Sequence, residues 1–240
     1  MFQQLRCVAL RTVKYDDRRN IVSAWSAECG RVGLIVPAGA SREASRRRAL
    51  MMPLGLFEGV ADIRPGFDLL NIRDVRPIAV LPSLSASPSK AVVAMFLAEV
   101  LEKMLRESPA DENLFNFIHR SAEKLDKMPQ AGVPNFPLVF LCRLGGLMGI
   151  EPDISEWEPG KVFDMVEGIY RSSAPTNRRW LDPDEARVAA IVQRMTFESA
   201  ARLLFPRKMR RDILDVILEY ISLHLSPIDN LRSLPILREL

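Results

Sequence analysis

Three groups of basic side chains carry the only chemistry that recurs along this sequence. Lys14, Arg18 and Arg19 flank an expected turn near the N-terminus. Arg42, Arg46, Arg47 and Arg48 crowd one short polar stretch. Arg207, Lys208, Arg210 and Arg211 open the last long apolar-periodic segment. Guanidinium and ammonium groups so grouped donate charge-assisted hydrogen bonds to phosphate oxygens, and they make or break no bond. The third group sits at a helix N-terminus, where cations oppose the helix dipole at up to about 1 kcal/mol each. An arriving anion would offset that cost. A single basic cluster is usually a solvated face. Three clusters, two of them in one small β-rich segment, point to a polyphosphate partner.

Signatures of catalysis are missing. There is no phosphate-cradling glycine loop, no nucleophile elbow and no metalloprotease pair. Gly145 and Gly149 stand at GxxxG spacing, which in a soluble chain serves close helix packing or ends a helix. His119 and His224 read as core or boundary histidines. Cys7, Cys29 and Cys142 are an odd number and widely separated, which argues against a disulfide framework and against a structural zinc site. The chain is therefore expected to be no enzyme and to need no cofactor or metal.

The elements that must position the arginines follow from periodicity. Leu5 to Thr12 is apolar on both faces, as in a strand of a closed barrel. Ile21 to Trp25, Val32 to Val36, Pro53 to Ile63 and Leu69 to Val80 are four more strand candidates. Glu28 to Arg31 is read as a tight turn with Gly30 at positive φ, and Arg64-Pro65-Gly66 as another. Five short strands in about 80 residues is the size of an OB barrel. Ser41 to Ala49 is expected to be a loop or short helix. Trp25 is expected in the core. Tyr15, beside Lys14 in a turn, is the candidate for stacking on a base. With few such aromatics, binding should rest on phosphates and weaken steeply with salt.

The Ser- and Pro-rich Pro82 to Pro88 marks the expected boundary between a barrel (residues 1–80) and a helical domain (residues 81–240). Ser87 is read as the cap of a helix started by Pro88 and lined by Val93, Phe96, Leu97, Val100, Leu101 and Met104. Further helices are expected over Asp111 to Lys127, Leu138 to Met148 (buried all round) and Pro206 to Leu225, the last with Ile213, Val216, Ile217, Tyr220 and Ile221 inward. Another starts at Asp182, burying Val188, Ile191, Val192 and Met195. Val162 to Tyr170 is the helix candidate in the irregular stretch 151–182. The expected fold class is α+β and multidomain: a five-stranded OB-type barrel followed by an all-α domain.

Charge follows the same division. Residues 1–80 carry 13 basic and 8 acidic groups, residues 81–170 carry 8 and 13, and residues 171–240 carry 12 and 9. Distinct surfaces for distinct partners are expected. No run reaches the roughly 18 apolar residues of a membrane helix, and Gln3, Gln4 and Arg6 interrupt any signal-peptide core. A cytoplasmic, nucleoid-associated location is expected, with no membrane partner.

Several stretches, in order, resemble the RecO family. Val8 to Asp17, Asn20-Ile21-Val22 and Cys29 to Gly33 resemble its opening; Arg42 to Pro53 looks like its basic loop leading into a strand. Phe96 to Leu101, Leu114 to Ile118 and Asn135 to Leu141 resemble its first three helices, and Gly149 to Pro152 the end of the third. Leu231 to Leu237 is similar to the C-terminal ending of its Bacteroidetes members. The resemblance implies a recombination mediator in DNA repair. Such proteins bind single- and double-stranded DNA, anneal complementary strands, engage the C-terminal tail of the single-strand-binding protein and, with RecR, help load RecA. It also implies DNA contacts from Arg11, Lys14, Arg18, Arg19, Arg31 and the Arg42 to Arg48 stretch; contacts from Arg207 to Arg211 rest on charge alone. The tail's site is expected in the helical domain. Many members carry a four-cysteine zinc module there. This chain lacks those cysteines, and residues 151–182 are expected to replace the module. The alternative is an OB-fold RNA-binding or transcription-associated module that does not anneal DNA.

Overall fold

A computed structural model describes residues 1–63, 69–203 and 205–240. Five strands, β1 (Phe2–Lys14), β2 (Arg19–Ser26), β3 (Gly30–Pro37), β4 (Leu56–Asp62) and β5 (Leu69–Pro77), close into a barrel in the order β1-β2-β3-β5-β4. Strand β1 is long enough to serve both sides. Its first half pairs with β4 and its second half with β2, and a bulge between Ala9 and Arg11 bends it between them. A parallel contact of β3 (Gly33 to Ile35) with β5 (Leu69 to Asn71) closes the circle. This is the OB-type topology expected from the spacing of the strands.

The alternation of β1 explains its double apolar character. Leu5, Cys7 and Ala9 point into the barrel with Val22, Ala24, Leu34, Phe57 and Ile72. Val8 and Leu10, on the other face, are also buried, and helix α3 (Pro88–Met104) packs along β1. Each large apolar side chain so enclosed, Phe57 among them, stabilises the fold by about 2 to 3 kcal/mol relative to exposure. Trp25 is fully buried, as expected. Gly30 takes φ +68° in the β2–β3 turn, as read from the sequence. The expected turn at Arg64-Pro65-Gly66 lies outside the described residues.

Of the loop or short helix expected over Ser41 to Ala49, the helix is what forms. Helix α1 (Arg42–Leu50) forms there, capped by the Ser41 hydroxyl, which accepts from the Ala44 N–H at 3.1 Å. The Pro82 to Pro88 stretch is likewise ordered, as helix α2 (Pro82–Ala86). It is tied to helix α4 (Glu112–Lys127): the Asp126 carboxylate accepts from the Leu84 N–H at 2.6 Å, and the buried Lys90 amine donates to the Asp126 carbonyl at 2.6 Å. Ser87 does not cap α3 through its side chain; its hydroxyl meets that of Ser89 at 3.1 Å instead.

By compactness the chain divides into one unit of residues 1–127 with 231–239 and a second of residues 128–230 with Leu240. A boundary near residue 80 separates the barrel from the helices that follow it, whereas the compact units group α2 to α4 with the barrel. The tail returns to the first unit through Glu99 on α3. Its carboxylate accepts the N–H groups of Arg232 and Ser233 at 2.8 and 2.9 Å, just before helix α9 (Leu234–Leu237).

The second unit holds a 3-10 turn (Gln130–Asn135) and helices α5 (Phe136–Leu147), α6 (Pro183–Arg194), α7 (Phe197–Ala200) and α8 (Arg207–His224). Gly149, at φ +80°, ends the α5 segment, with the Ile150 N–H donating back to the Gly145 carbonyl. Asp182 caps α6 in a full capping box with Glu185. The unit is not purely helical. Val162 to Tyr170 forms no helix but a hairpin, β6 (Val162–Asp164) and β7 (Ile169–Arg171), joined by β8 (Trp180–Leu181) in a three-stranded sheet. The reason is local. Asp164 accepts the Val166 and Glu167 N–H groups in the turn, and Gly168 takes φ +69°, a conformation that glycine adopts without strain. Among the described residues no helix is long and apolar enough to cross a membrane.

Candidate nucleic-acid interface

Strands β1, β2 and β3 present one open face. Arg11 lies opposite Ser23, Ser23 opposite Gly33, and Trp25 opposite Arg31, so the register sets Arg11 and Arg31 around the same groove. That groove has a volume of about 570 Å³ and is also lined by Val13, Ile21, Leu69, Glu102 and Arg106. Arg11 is exposed and makes no ion pair among the described residues. Arg31 faces Glu102 of α3 at 3.7 Å. The sequence reading named both arginines but passed over Arg106, because nothing in one dimension joins it to the barrel.

The β1–β2 turn is less positive than its arginines suggest. Lys14 pairs with Asp17 at 2.7 Å and Arg19 with Asp16 at 2.7 Å. The Arg19 hydrogen bond, helped by the Arg18 N–H, holds the Asp16 carboxyl below its ordinary value. Tyr15 is more than half exposed, with the Arg19 guanidinium 5.0 Å from its ring centre. Phe2, exposed and covered by Arg73 at 4.2 Å, is a second surface aromatic of the same kind.

Helix α1 sorts its four arginines. Arg42 and Arg46, one turn apart, are exposed and make no ion pair among the described residues. Arg47 is largely covered, 3.6 Å from Glu43, and Arg48 donates to the Gly39 carbonyl. Arg42 and Arg46 are thus the two free to meet an anion.

The cluster at the start of α8 belongs to the second unit. Arg210 is committed to structure: its guanidinium donates to the carbonyls of Phe205 at 2.7 Å and Leu240 at 2.8 Å. Burial, with Arg207 and Arg211 nearby, lowers its pKa. Lys208 is exposed, on the rim of an apolar cavity of about 520 Å³ between α5, α6, α8 and the small sheet. Leu141, Ile150, Val188, Ile213, Val216 and Ile217 wall this cavity, and Arg187 and Lys208 stand at its rim with Asp184 and Asp212. Val188, Val216 and Ile217, expected in the core, are therefore only half-buried, and Ile191 is exposed. Val192, Met195, Ile213, Tyr220 and Ile221 are buried as expected.

The four-cysteine zinc module has no counterpart in these residues. Cys7 is in the barrel core, where burial pushes its thiol well up, and Cys142 lines the apolar cavity of the other unit. No three His, Cys, Asp or Glu side chains group as metal ligands among the described residues. In residues 151–182 a carboxylate organises the chain. Asp164, 1% exposed, accepts from the Val166 and Glu167 N–H groups, the Asn177 amide at 3.0 Å and the Arg171 Nε at 3.1 Å. Burial would raise its pKa; these donors and the Arg171 charge outweigh it and hold the carboxyl low. The histidines are engaged in packing: His119 lies edge-on to Phe115, and His224 meets the Met165 carbonyl at 2.8 Å.

Comparison with known proteins agrees with this architecture. Residues 86–235 match the family described as "Recombination protein O C terminal". A DNA repair protein RecO of Bacteroides fragilis is 33% identical over 241 residues, covering 100% of this chain and 99% of the relative. That of Phocaeicola vulgatus is 32% identical over 240 residues, covering 100% and 99%. That of Porphyromonas gingivalis is 31% identical over 244 residues, covering 98% and 97%. With an OB-type barrel ahead of a helical region and matches of this length, the chain belongs to the RecO family.

Proposed function

We propose that this protein is a DNA-binding recombination mediator in DNA repair. It holds single- and double-stranded DNA on the barrel, anneals complementary strands and, with RecR, helps load RecA onto DNA coated with single-strand-binding protein. One observation carries the reading: the open β1–β3 face of an OB-type barrel bears Arg11 and Arg31 in one groove, with the unpaired Arg42 and Arg46 on the α1 helix of the same unit. Strands 2 and 3 are the usual oligonucleotide face of such barrels. The arginines screen phosphate repulsion, and exposed Val13 and Leu69 offer apolar surface to bases. No bond is made, so no nucleotide is consumed.

The test is annealing of complementary oligonucleotides coated with single-strand-binding protein, without ATP. The expected result is annealing at least about tenfold faster than the spontaneous rate at low salt, falling steeply as salt rises. Binding to RNA without any annealing of DNA would favour the alternative module instead.

The apolar cavity of the second unit suits the tail of the single-strand-binding protein, an acidic peptide with an apolar end. Its walls take the apolar end, and the acids meet Arg187 and Lys208 on a rim that these share with Asp184, Glu185 and Asp212. Holding the coat protein there raises the local concentration of mediator on DNA. Ile217→Glu is expected to weaken tail-peptide binding by about tenfold or more, as a buried unpaired charge would, and to leave oligonucleotide binding at parent level. Fluorescence anisotropy with a labelled tail peptide checks it; unchanged peptide affinity moves the site elsewhere.

A further inference from the structure

An acid faces the groove that is proposed to hold DNA. Glu102 comes from the last turn of α3, its side chain only 18% exposed, and lines the β1–β3 groove beside Arg11, Arg31 and Arg106. Among the described residues its sole ion pair there is Arg31, at 3.7 Å, a loose contact for a guanidinium and a carboxylate. Arg106 follows α3 by two residues, is exposed, and makes no ion pair among the described residues. Among the described residues, three guanidinium groups therefore converge on one groove with a single anion among them. A carboxylate so placed does for the empty groove what a phosphodiester does for the filled one: it partly neutralises neighbouring cations.

We infer that Glu102 is a resident competitor for DNA phosphate on this face, and that Arg106 is a third arginine of the phosphate seat. The inference rests on the reading of the barrel face as the DNA site. A strand that enters must take Arg31 from Glu102, and Glu102 then stands near a phosphate and repels it. Affinity is lowered and release is quickened. A protein that passes a strand on to a complement or a recombinase gains from both. Arg106 acts in the opposite sense, adding one contact from outside the barrel strands.

The experiment compares the full chain with Glu102→Gln, Glu102→Asp, Arg106→Gln and Glu107→Gln, using a fluorescent single-stranded oligonucleotide across a salt series. Melting curves confirm folding of each. Glu102→Gln is expected to bind about five- to tenfold more tightly near 0.1 M salt, with slower dissociation in stopped flow, because one like charge leaves the neighbourhood of a phosphate. Glu102→Asp, which withdraws the charge from Arg31 by one methylene and keeps the groove's charge balance, is expected to gain less. Arg106→Gln is expected to bind about three- to tenfold more weakly, with a salt slope shallower by about 0.7. Glu107→Gln removes an equal charge from an exposed neighbour that does not line the groove, and is expected to bind like the parent.

The inference is overturned if Glu102→Gln binds no better than the parent, or if Glu107→Gln gains as much, since net charge alone would then account for the gain. An Arg106→Gln variant with parental affinity and slope removes Arg106 from the seat. Should Glu102→Gln fail to fold, Glu102→Asp and Arg106→Gln decide the matter by the same criteria. A parent that binds no oligonucleotide in dilute buffer is a different outcome: it defeats the DNA reading itself.

Discussion

Reversing Arg42 and Arg46 to glutamate is expected to weaken oligonucleotide binding by about tenfold or more near 0.1 M salt, with little change in stability. Both side chains lie on the solvent face of α1 without ion pairs among the described residues. The new charges replace attraction by repulsion at two positions. If each arginine neutralises one phosphate of a single strand, the slope of log affinity against log salt becomes shallower by about 1.4. The loss should be uniform across sequences, since phosphate contacts carry no base information. Helix α1 tolerates the change: position 42 opens the helix, where an acid complements the dipole. Arg47 and Arg48 are left in place, because one is largely covered beside Glu43 and the other holds the Gly39 carbonyl. A salt series of anisotropy titrations checks this. Parental affinity and slope would show that α1 does not touch DNA.

Replacing Asp164 is expected to have the largest effect on stability. Its carboxylate is the meeting point of two turn N–H groups, the Asn177 amide and the Arg171 guanidinium. Asp164→Ala leaves these donors without an acceptor under a nearly closed surface. The loss is about 2 to 4 kcal/mol, below the range for a fully buried pair because the Arg171 side chain is itself 43% exposed. Trp157 and Trp180 lie in the second unit and report its unfolding in urea, while DNA binding by the barrel should persist. The effect carries a pH signature. Asp164 titrates below its ordinary value of 3.8 in the folded chain. Its contribution is therefore complete above about pH 4 and is lost as pH falls through the folded-state value. The stability gap between parent and Asp164→Asn should be full at pH 7 and shrink in acid below pH 4. A gap that is constant with pH, or an alanine variant as stable as the parent, would remove Asp164 as the organiser of residues 151–182.

That stretch shows where reading the sequence stops. Val162 to Tyr170 has apolar spacing compatible with a helix, yet it is a hairpin. The decision lies in the acceptor capacity of Asp164, two of whose donors, Arg171 and Asn177, are supplied by residues 7 and 13 positions away. Val216 and Ile217 show the same limit. Apolar side chains on a helix read alike whether they face a core or line an open cavity, because periodicity reports a face and not what covers it.

The sequence alone determined the features set by local physics and by pattern. Short apolar runs bounded by turn residues marked the five strands, the first of them apolar on both faces because it is covered on both sides. Gly30 and Asp182 with Pro183 marked a turn and a helix start, since their hydrogen bonds and dihedrals close within a few residues. The positions of the arginines, and with them the reading as a partner of polyphosphate, were also legible. Only the tertiary structure decided which of those charges are free. Asp16 and Asp17 pair with Arg19 and Lys14 in the first turn, carbonyl oxygens occupy Arg48 and Arg210, and Arg42 and Arg46 stay open. It also brought Glu102 and Arg106 to a groove whose β1, β2 and β3 residues lie about 70 or more positions earlier in the chain. Coulomb interactions act through space at a few ångströms, and the chain order does not state those distances.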